Sequence, residues 1–271
     1  MSFFEHDGIQ FHYRESGSGT PFFFQHGLGA DVNQTFDLFK PPAGIHLLTF
    51  DCRGHGETRP LGPEEKISVE QFTDDLRSLM DHLKIERAVI GGISMGAAIA
   101  LRFTLEHPGR VIGLVLSRPA WLDQSRADNL KVFSTLAEFI RKYGAKEGAR
   151  RYQETAAYRQ VLKESADGAK SLLSQFEHPR ADETVAKLER IPPYVPAHTR
   201  EHWKDIHVPT LVLANHQDPV HPLEFGEVLA RTIPGARFAE LTPKSVSLAR
   251  HGEDVQRTLT DFLAKNFLAT D

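Results

Sequence analysis

The pentapeptide Gly92-Ile93-Ser94-Met95-Gly96 limits what this chain can fold into more than any other stretch. It lies between an apolar run at residues 87–91 and a run of small residues at 97–105 that has helical character. A strand that turns sharply into a helix at a serine holds that serine in a strained conformation. Side chains on either flank would clash there, so glycine is needed on both sides. The hydroxyl then stands at a helix N-terminus, where aligned peptide dipoles favour developing negative charge. The five letters alone say little, since Gly and Ser are common; the strand before and the helix after give them meaning.

The rest of the chain repeats that alternation. Residues 9–15, 21–25, 45–51, 87–91 and 111–117 read as strands, and residues 68–83 read as a helix. In that helix Val69, Phe72, Leu76, Leu79, Met80 and Leu83 recur near helical spacing. Ser68 is its expected N-cap, with Gln71 completing a capping box. Continuous apolar strands of this kind suit a buried parallel sheet with helices on both faces. From residue 119 to about 203 no strand-like run occurs. Helices are expected there at 130–143, 145–162 and 165–176. Alternation resumes at 209–214, passes 222–232 and 237–241, and closes with a helix near 253–267. A helical insertion inside such a series reads as a lid over the carboxyl edge of the sheet, where ligands of α/β proteins bind. The expected organisation is a core of residues 1–118 and 206–271 with a lid at 119–205.

Composition narrows the partners. The net charge is −4, so no global basic field recommends nucleic acid or a membrane surface. No apolar run approaches the roughly 20 residues of a membrane span. The single cysteine, Cys52, excludes an intramolecular disulfide and suits a reducing compartment. The first residues, Met1-Ser2-Phe3-Phe4-Glu5-His6-Asp7, lack a basic segment followed by an apolar one, so no signal peptide is expected and the expected location is cytoplasmic.

Four motifs fall in a telling order: His26-Gly27-Leu28-Gly29, Asp51-Cys52-Arg53-Gly54-His55-Gly56, the serine pentapeptide, and Asp218-Pro219-Val220-His221-Pro222. With them the chain resembles the α/β-hydrolases, in the group of single-domain esterases, lactonases, C–C hydrolases and cofactor-free haloperoxidases. The resemblance implies a mostly parallel sheet with a helical lid after the sixth strand, and a Ser–Asp–His triad in that chain order. It implies an oxyanion hole from the Leu28 and Met95 N–H groups, and no cofactor. It gives His26 the task of shaping the oxyanion loop and His55 that of supporting a tight turn.

The residue types support this chemistry independently. Serine is a poor nucleophile at neutral pH and needs an adjacent base. Histidine suits that task because its pKa lies near operating pH, and a buried carboxylate then orients the imidazole. Asp218 follows the apolar run at 210–214 and is the expected acid, with Asp123 as substitute. The histidine is harder to place. Relatives carry it near the position of Lys244-Ser245-Val246, where this chain has none. His251, just before Gly252, is the expected base, and His221 is second. His216, Asp218 and His221 form a His/Asp/His cluster, but without a helical His-x-x-x-His or a thiolate no metal is expected. Arg118 follows a strand at the carboxyl edge, where a guanidinium can clamp a substrate carboxylate or instead pair with a carboxylate such as Asp123. Trp121 and apolar lid residues Leu122, Phe133, Leu136, Phe139, Ile140 and Tyr143 are candidates to line the pocket.

The expected activity is hydrolysis of a small carboxylic ester, thioester or lactone, with a substrate that carries an acidic group. Ser94 attacks, His251 relays the proton, and Asp218 orients it. Arg118 and Trp121 contact substrate. The alternatives are a C–C bond hydrolase using the same triad, and a ligand-binding or sensory member with a weakened one.

Overall fold

The computed structural model describes residues 1–123, 128–196 and 198–268. The chain opens with a hairpin that the sequence pattern concealed. Strand β1 (Ser2–His6) pairs antiparallel with β2 (Ile9–Gly17). Asp7 and Gly8 connect them with φ of 55° and 72°, the left-handed pair that a two-residue hairpin turn demands. Only Phe4 of β1 is buried, so the strand lacks the apolar run that betrays the others.

Then follow β3 (Thr20–Gln25), α1 (Val32–Leu38), β4 (Ile45–Phe50), α2 (Val69–His82), β5 (Ala88–Ile93), α3 (Met95–Glu106) and β6 (Val111–Ser117). Ser68 caps α2 by accepting from the Gln71 N–H at 3.2 Å. The reciprocal half of the expected capping box is absent, because the Gln71 amide donates to Asp75 at 3.2 Å. Among the described residues between β6 and β7 (Thr210–Ala214) come five α-helices: α4 (Lys131–Gln153), α5 (Ala156–Glu164), α6 (Ala166–Glu177), α7 (Ala186–Arg190) and α8 (Arg200–Trp203). Gly144, at φ 76°, kinks α4 where the sequence reading separated two helices. The second expected helix, 145–162, is itself interrupted, and Thr155 caps a new start by accepting from the Tyr158 N–H. Residues 124–127 and 197 of the expected lid lie outside the described residues. The chain ends with α9 (Leu223–Thr232), β8 (Arg237–Glu240) and α10 (Leu248–Phe267). α10 starts five residues earlier than expected, because the Ser247 side chain accepts from Arg250 N–H and caps it there.

The eight strands form one sheet in the order β1-β2-β4-β3-β5-β6-β7-β8. β1, β2 and β4 pair antiparallel; from β4 through β8 every pairing is parallel. Alternate side chains feed two cores. Phe22, Phe24, Val89 and Val115 pack with Leu259, Phe262 and Leu263 of α10. Phe23, Ile90 and Leu114 pack on the other face with Phe72 and Leu76 of α2 and Phe103 of α3. This two-sided burial is why β5 and β7 are apolar throughout rather than alternating. No helix of the described residues is long and apolar enough to cross a membrane.

Candidate active site

Ser94 stands between β5 and α3 with φ 55° and ψ −111°, a conformation that costs a non-glycine residue on the order of 1–3 kcal/mol. The surrounding packing enforces it. A Cβ on Gly96 would run into the Gln25 carbonyl oxygen, and one on Gly92 into the Gly96 backbone. The Ser94 N–H donates to Ser117 O of β6 at 2.9 Å, which ties the turn to the neighbouring strand.

The histidine that meets Ser94 is His221. Its Nε2 lies 2.9 Å from Ser94 Oγ. Its Nδ1 lies 2.9 Å from Asp218 Oδ1 and 3.0 Å from Oδ2. The consistent proton pattern has Nδ1–H donating to Asp218 and Nε2 accepting from the serine hydroxyl. The expectation for His251 is therefore corrected. His251 sits in the first turn of α10, buried, and its Nδ1 donates to Thr242 O at 2.9 Å. The early start of α10 turns that ring into the core. His221 reaches Ser94 because the loop after β7 doubles back at once. Gln217 adopts φ 58°, and the His221 N–H bonds to Asp218 Oδ1 and to Asp218 O, each at 3.2 Å. Asn129 then pins the loop through Val220 O at 2.6 Å.

Arg118 also departs from expectation. Its backbone is left-handed (φ 48°), and its N–H donates to Leu213 O at 2.7 Å. Its Nε and Nη2 both donate to Asp218 Oδ2, at 2.8 and 2.5 Å. The guanidinium is thus engaged by the Asp218 carboxylate rather than open to a substrate. Asp123, the partner anticipated for it, instead binds Arg200 at 2.8 Å. Burial alone would raise the Asp218 pKa, but the charges of His221 and Arg118 overcome it and hold the carboxyl far below the usual range. Burial pushes the His221 pKa down; Asp218 opposes this, and Arg118 reinforces it. Arg118 Nη2 lies 3.1 Å from His221 Nδ1, a cation beside the edge that would carry imidazolium charge.

At the opposite wall, the Gly29 and Ala30 N–H groups turn back to Gly27 O, and the Gly27 N–H donates to Gln34 at 2.8 Å. The Leu28 and Met95 N–H groups make no hydrogen bond among the described residues. His26 is spent on shaping this loop: Nδ1 bonds Gly27 O at 2.9 Å and Nε2 accepts from Cys52 N–H at 3.1 Å. His55 bonds Arg53 O at 3.0 Å within its own turn. His216 turns toward Glu240, and no cluster of three or more metal-ligating side chains forms among the described residues.

A cleft of about 300 Å³ opens over Ser94, His221 and Leu28, at the lower end of the range for ligand sites. Of the apolar residues expected to line it, only Phe133 does so. Trp121 is corrected: it is buried against Tyr194, with ring centroids 6.2 Å apart, outside the cleft. The rest of the lining is mixed: Leu28, Ala30, Ile93 and Val220 stand beside serine, amide and charged side chains. Gln175 of α6 lies so close to Gly29 that a Cβ there would collide with its amide. Lys244 stands on the loop after β8. Neither was singled out from sequence, since only folding brings their distant segments to this wall.

A mostly parallel sheet, a strained serine on the strand-to-helix turn, and a histidine and carboxylate after β7 define an α/β-hydrolase type of architecture. The chain belongs to the alpha/beta hydrolase fold family, whose model matches residues 20–243. It is similar to the putative carbamate hydrolase RutD of Azorhizobium caulinodans, 27% identical over 236 residues and covering 85% of each chain. It is 25% identical to 3-oxoadipate enol-lactonase 2 of Acinetobacter baylyi over 203 residues, 74% of this chain and 72% of that one. Among solved structures, the enol-lactonase from Burkholderia xenovorans LB400 superposes with a TM-score of 0.73 at 26% identity, over 97% of this chain and 100% of that one.

Proposed function

We propose that the protein hydrolyses a small carboxylic ester or lactone through an acyl-enzyme on Ser94. The observation that carries this reading is the unbroken chain from Asp218 through His221 to Ser94 Oγ on a strained turn. His221 Nε2 takes the serine proton as Oγ attacks the carbonyl carbon. The Asp218 carboxylate stabilises the imidazolium that forms. The Leu28 and Met95 N–H groups donate to the oxyanion, each such donor being worth roughly 3–4 kcal/mol in related chemistry. Collapse of the tetrahedral intermediate expels the alcohol, protonated by His221, and water repeats the sequence on the acyl-enzyme. The helices α4–α8 act as the lid, since α6 contributes wall residues over Ser94. The names of the relatives, a carbamate hydrolase and two enol-lactonases, agree with this bond class.

An organofluorophosphonate followed by intact mass is expected to add once to the native protein and not to Ser94→Ala. No adduct on native, folded protein would count against an activated serine.

The pH profile tests the role of Arg118. With His221 held below its ordinary 6.5, kcat/KM for a neutral ester should rise with pH about a midpoint under 6.5. Arg118→Leu removes a cation that opposes protonation, so the midpoint should move up. It also releases Asp218, so kcat should fall. An unchanged or lower midpoint would refute this account of Arg118.

A further inference from the structure

Five charged side chains line the cleft: Arg118, Lys170 and Lys244 against Asp167 and Asp218. The charges of Arg118 and Asp218 satisfy each other at 2.5 Å. Lys170 is exposed to solvent. Lys244 is different. It is half-buried in the wall, and the charged groups around it, Arg118, Asp167 and Asp218, act on it only through space, without a hydrogen bond. Its loop does not need the ammonium for support. That loop is tied down by Thr242, whose N–H and Oγ1 both bond to Asp254, at 2.9 and 2.7 Å. Asp167 and Asp218 offset part of the cost through space, but neither hydrogen-bonds the ammonium, so a directly bonded anion would relieve the penalty that burial and Arg118 leave. Burial first, and then Arg118, push its pKa down to about 8, which leaves it charged at neutral pH.

We propose that Lys244 is the anion-binding residue of this cleft, and that the ester or lactone cleaved at Ser94 carries a carboxylate. This rests on the hydrolase reading above and extends it. The carboxylate lies against Lys244 on the loop after β8, while the scissile carbonyl lies between Ser94 and the Leu28 and Met95 N–H groups. The acidic group first sought at Arg118 is thereby relocated, because Asp218 has taken the guanidinium. The cleft's modest volume and its mixture of serine, amide and small apolar lining suit a short substrate.

The experiment uses the monomethyl esters of succinic, glutaric and adipic acids, each beside its neutral dimethyl ester. The wild type is expected to show a kcat/KM at least about ten-fold higher for one of the acidic esters than for its neutral partner. Lys244→Met should erase most of that ratio, chiefly through KM, and Lys244→Arg should keep most of it, which also controls for folding. A wild type without acid preference across the series, or a Lys244→Met ratio equal to wild type, overturns the proposal. Titration calorimetry on Ser94→Ala separates the two readings, since it needs no turnover. Binding of a monomethyl ester that Lys244→Met abolishes supports the anion site even if Ser94 fails to turn over. Absence of binding by all three acidic esters overturns the anion site while leaving the fluorophosphonate result to judge Ser94.

Discussion

Replacing His221 by alanine is expected to lower kcat for an activated ester by about 10³-fold or more, whereas His251→Gln should leave it within a few-fold of wild type. The two histidines lie thirty positions apart, and either could be read as the base from sequence. Geometry separates them. His221 Nε2 is 2.9 Å from Ser94 Oγ, and its other nitrogen faces Asp218. His251 Nδ1 is committed to Thr242 O, inside the first turn of α10. Without a base within hydrogen-bond reach, Ser94 keeps the nucleophilicity of an ordinary alcohol. Added imidazole should restore part of the His221→Ala rate if the gap it fills lies beside Ser94. His251→Gln should instead lower thermal stability, by about 1 kcal/mol for a disturbed buried hydrogen bond. The decisive readout is p-nitrophenyl acetate hydrolysis together with a melting curve for each variant. A large rate loss in His251→Gln with normal melting, beside an active His221→Ala, would sink this assignment.

The difference between these histidines shows where sequence reading runs out. The strands were legible because burial on both faces writes itself locally, as apolar runs such as Val212 and its neighbours. The turn at Ser94 was legible because only glycine fits beside it, so the constraint is spelled in adjacent letters. β1 was missed because one buried Phe leaves no pattern. The position of His221 depends on things that are not adjacent. A left-handed Gln217 starts the loop, Asn129 holds Val220 from ninety-one residues away, and Arg118 holds Asp218 from a hundred. The same distance hid the fate of Arg118, whose charge looked available until Asp218 stood beside it. For α10, the Ser247 cap was present in the sequence but outweighed by Gly252, which marked the start too late. Trp121 went astray because an aromatic at the opening of the insertion packs as readily against Tyr194 as around a ligand.

The second large effect lies away from Ser94, at Lys187. This side chain is 2% exposed, and among the described residues its Nζ makes one weak hydrogen bond, to Gly54 O at 3.4 Å. Burial, with some help from Arg180, pushes its pKa from 10.5 to about 7. Its charge in turn depresses the neighbouring His55 and His178, both already disfavoured as cations by burial. The sign of the linkage follows from the proton count. Between about pH 7 and 10.5 the unfolded chain binds a proton at Lys187 that the folded chain does not. Stability from this site therefore rises with pH through that window, and the penalty is full at and below about pH 7. A shift of this size corresponds to a penalty of a few kcal/mol, on the order of 1.4 kcal/mol per unit. Lys187→Met keeps the aliphatic volume and removes the ionisable group, at the loss of one poor hydrogen bond. It should thus raise the unfolding free energy by about 2 kcal/mol or more at pH 6, and by progressively less toward pH 10. Urea unfolding of both proteins at pH 6, 8 and 10 measures this directly. A destabilised Lys187→Met at pH 6, or a gain that grows with pH, would mean that the Gly54 contact outweighs the buried charge. Because Lys187 sits on α7 against the Arg53–Gly56 turn, the variant also reports whether that seam between insertion and sheet limits the stability of the whole chain.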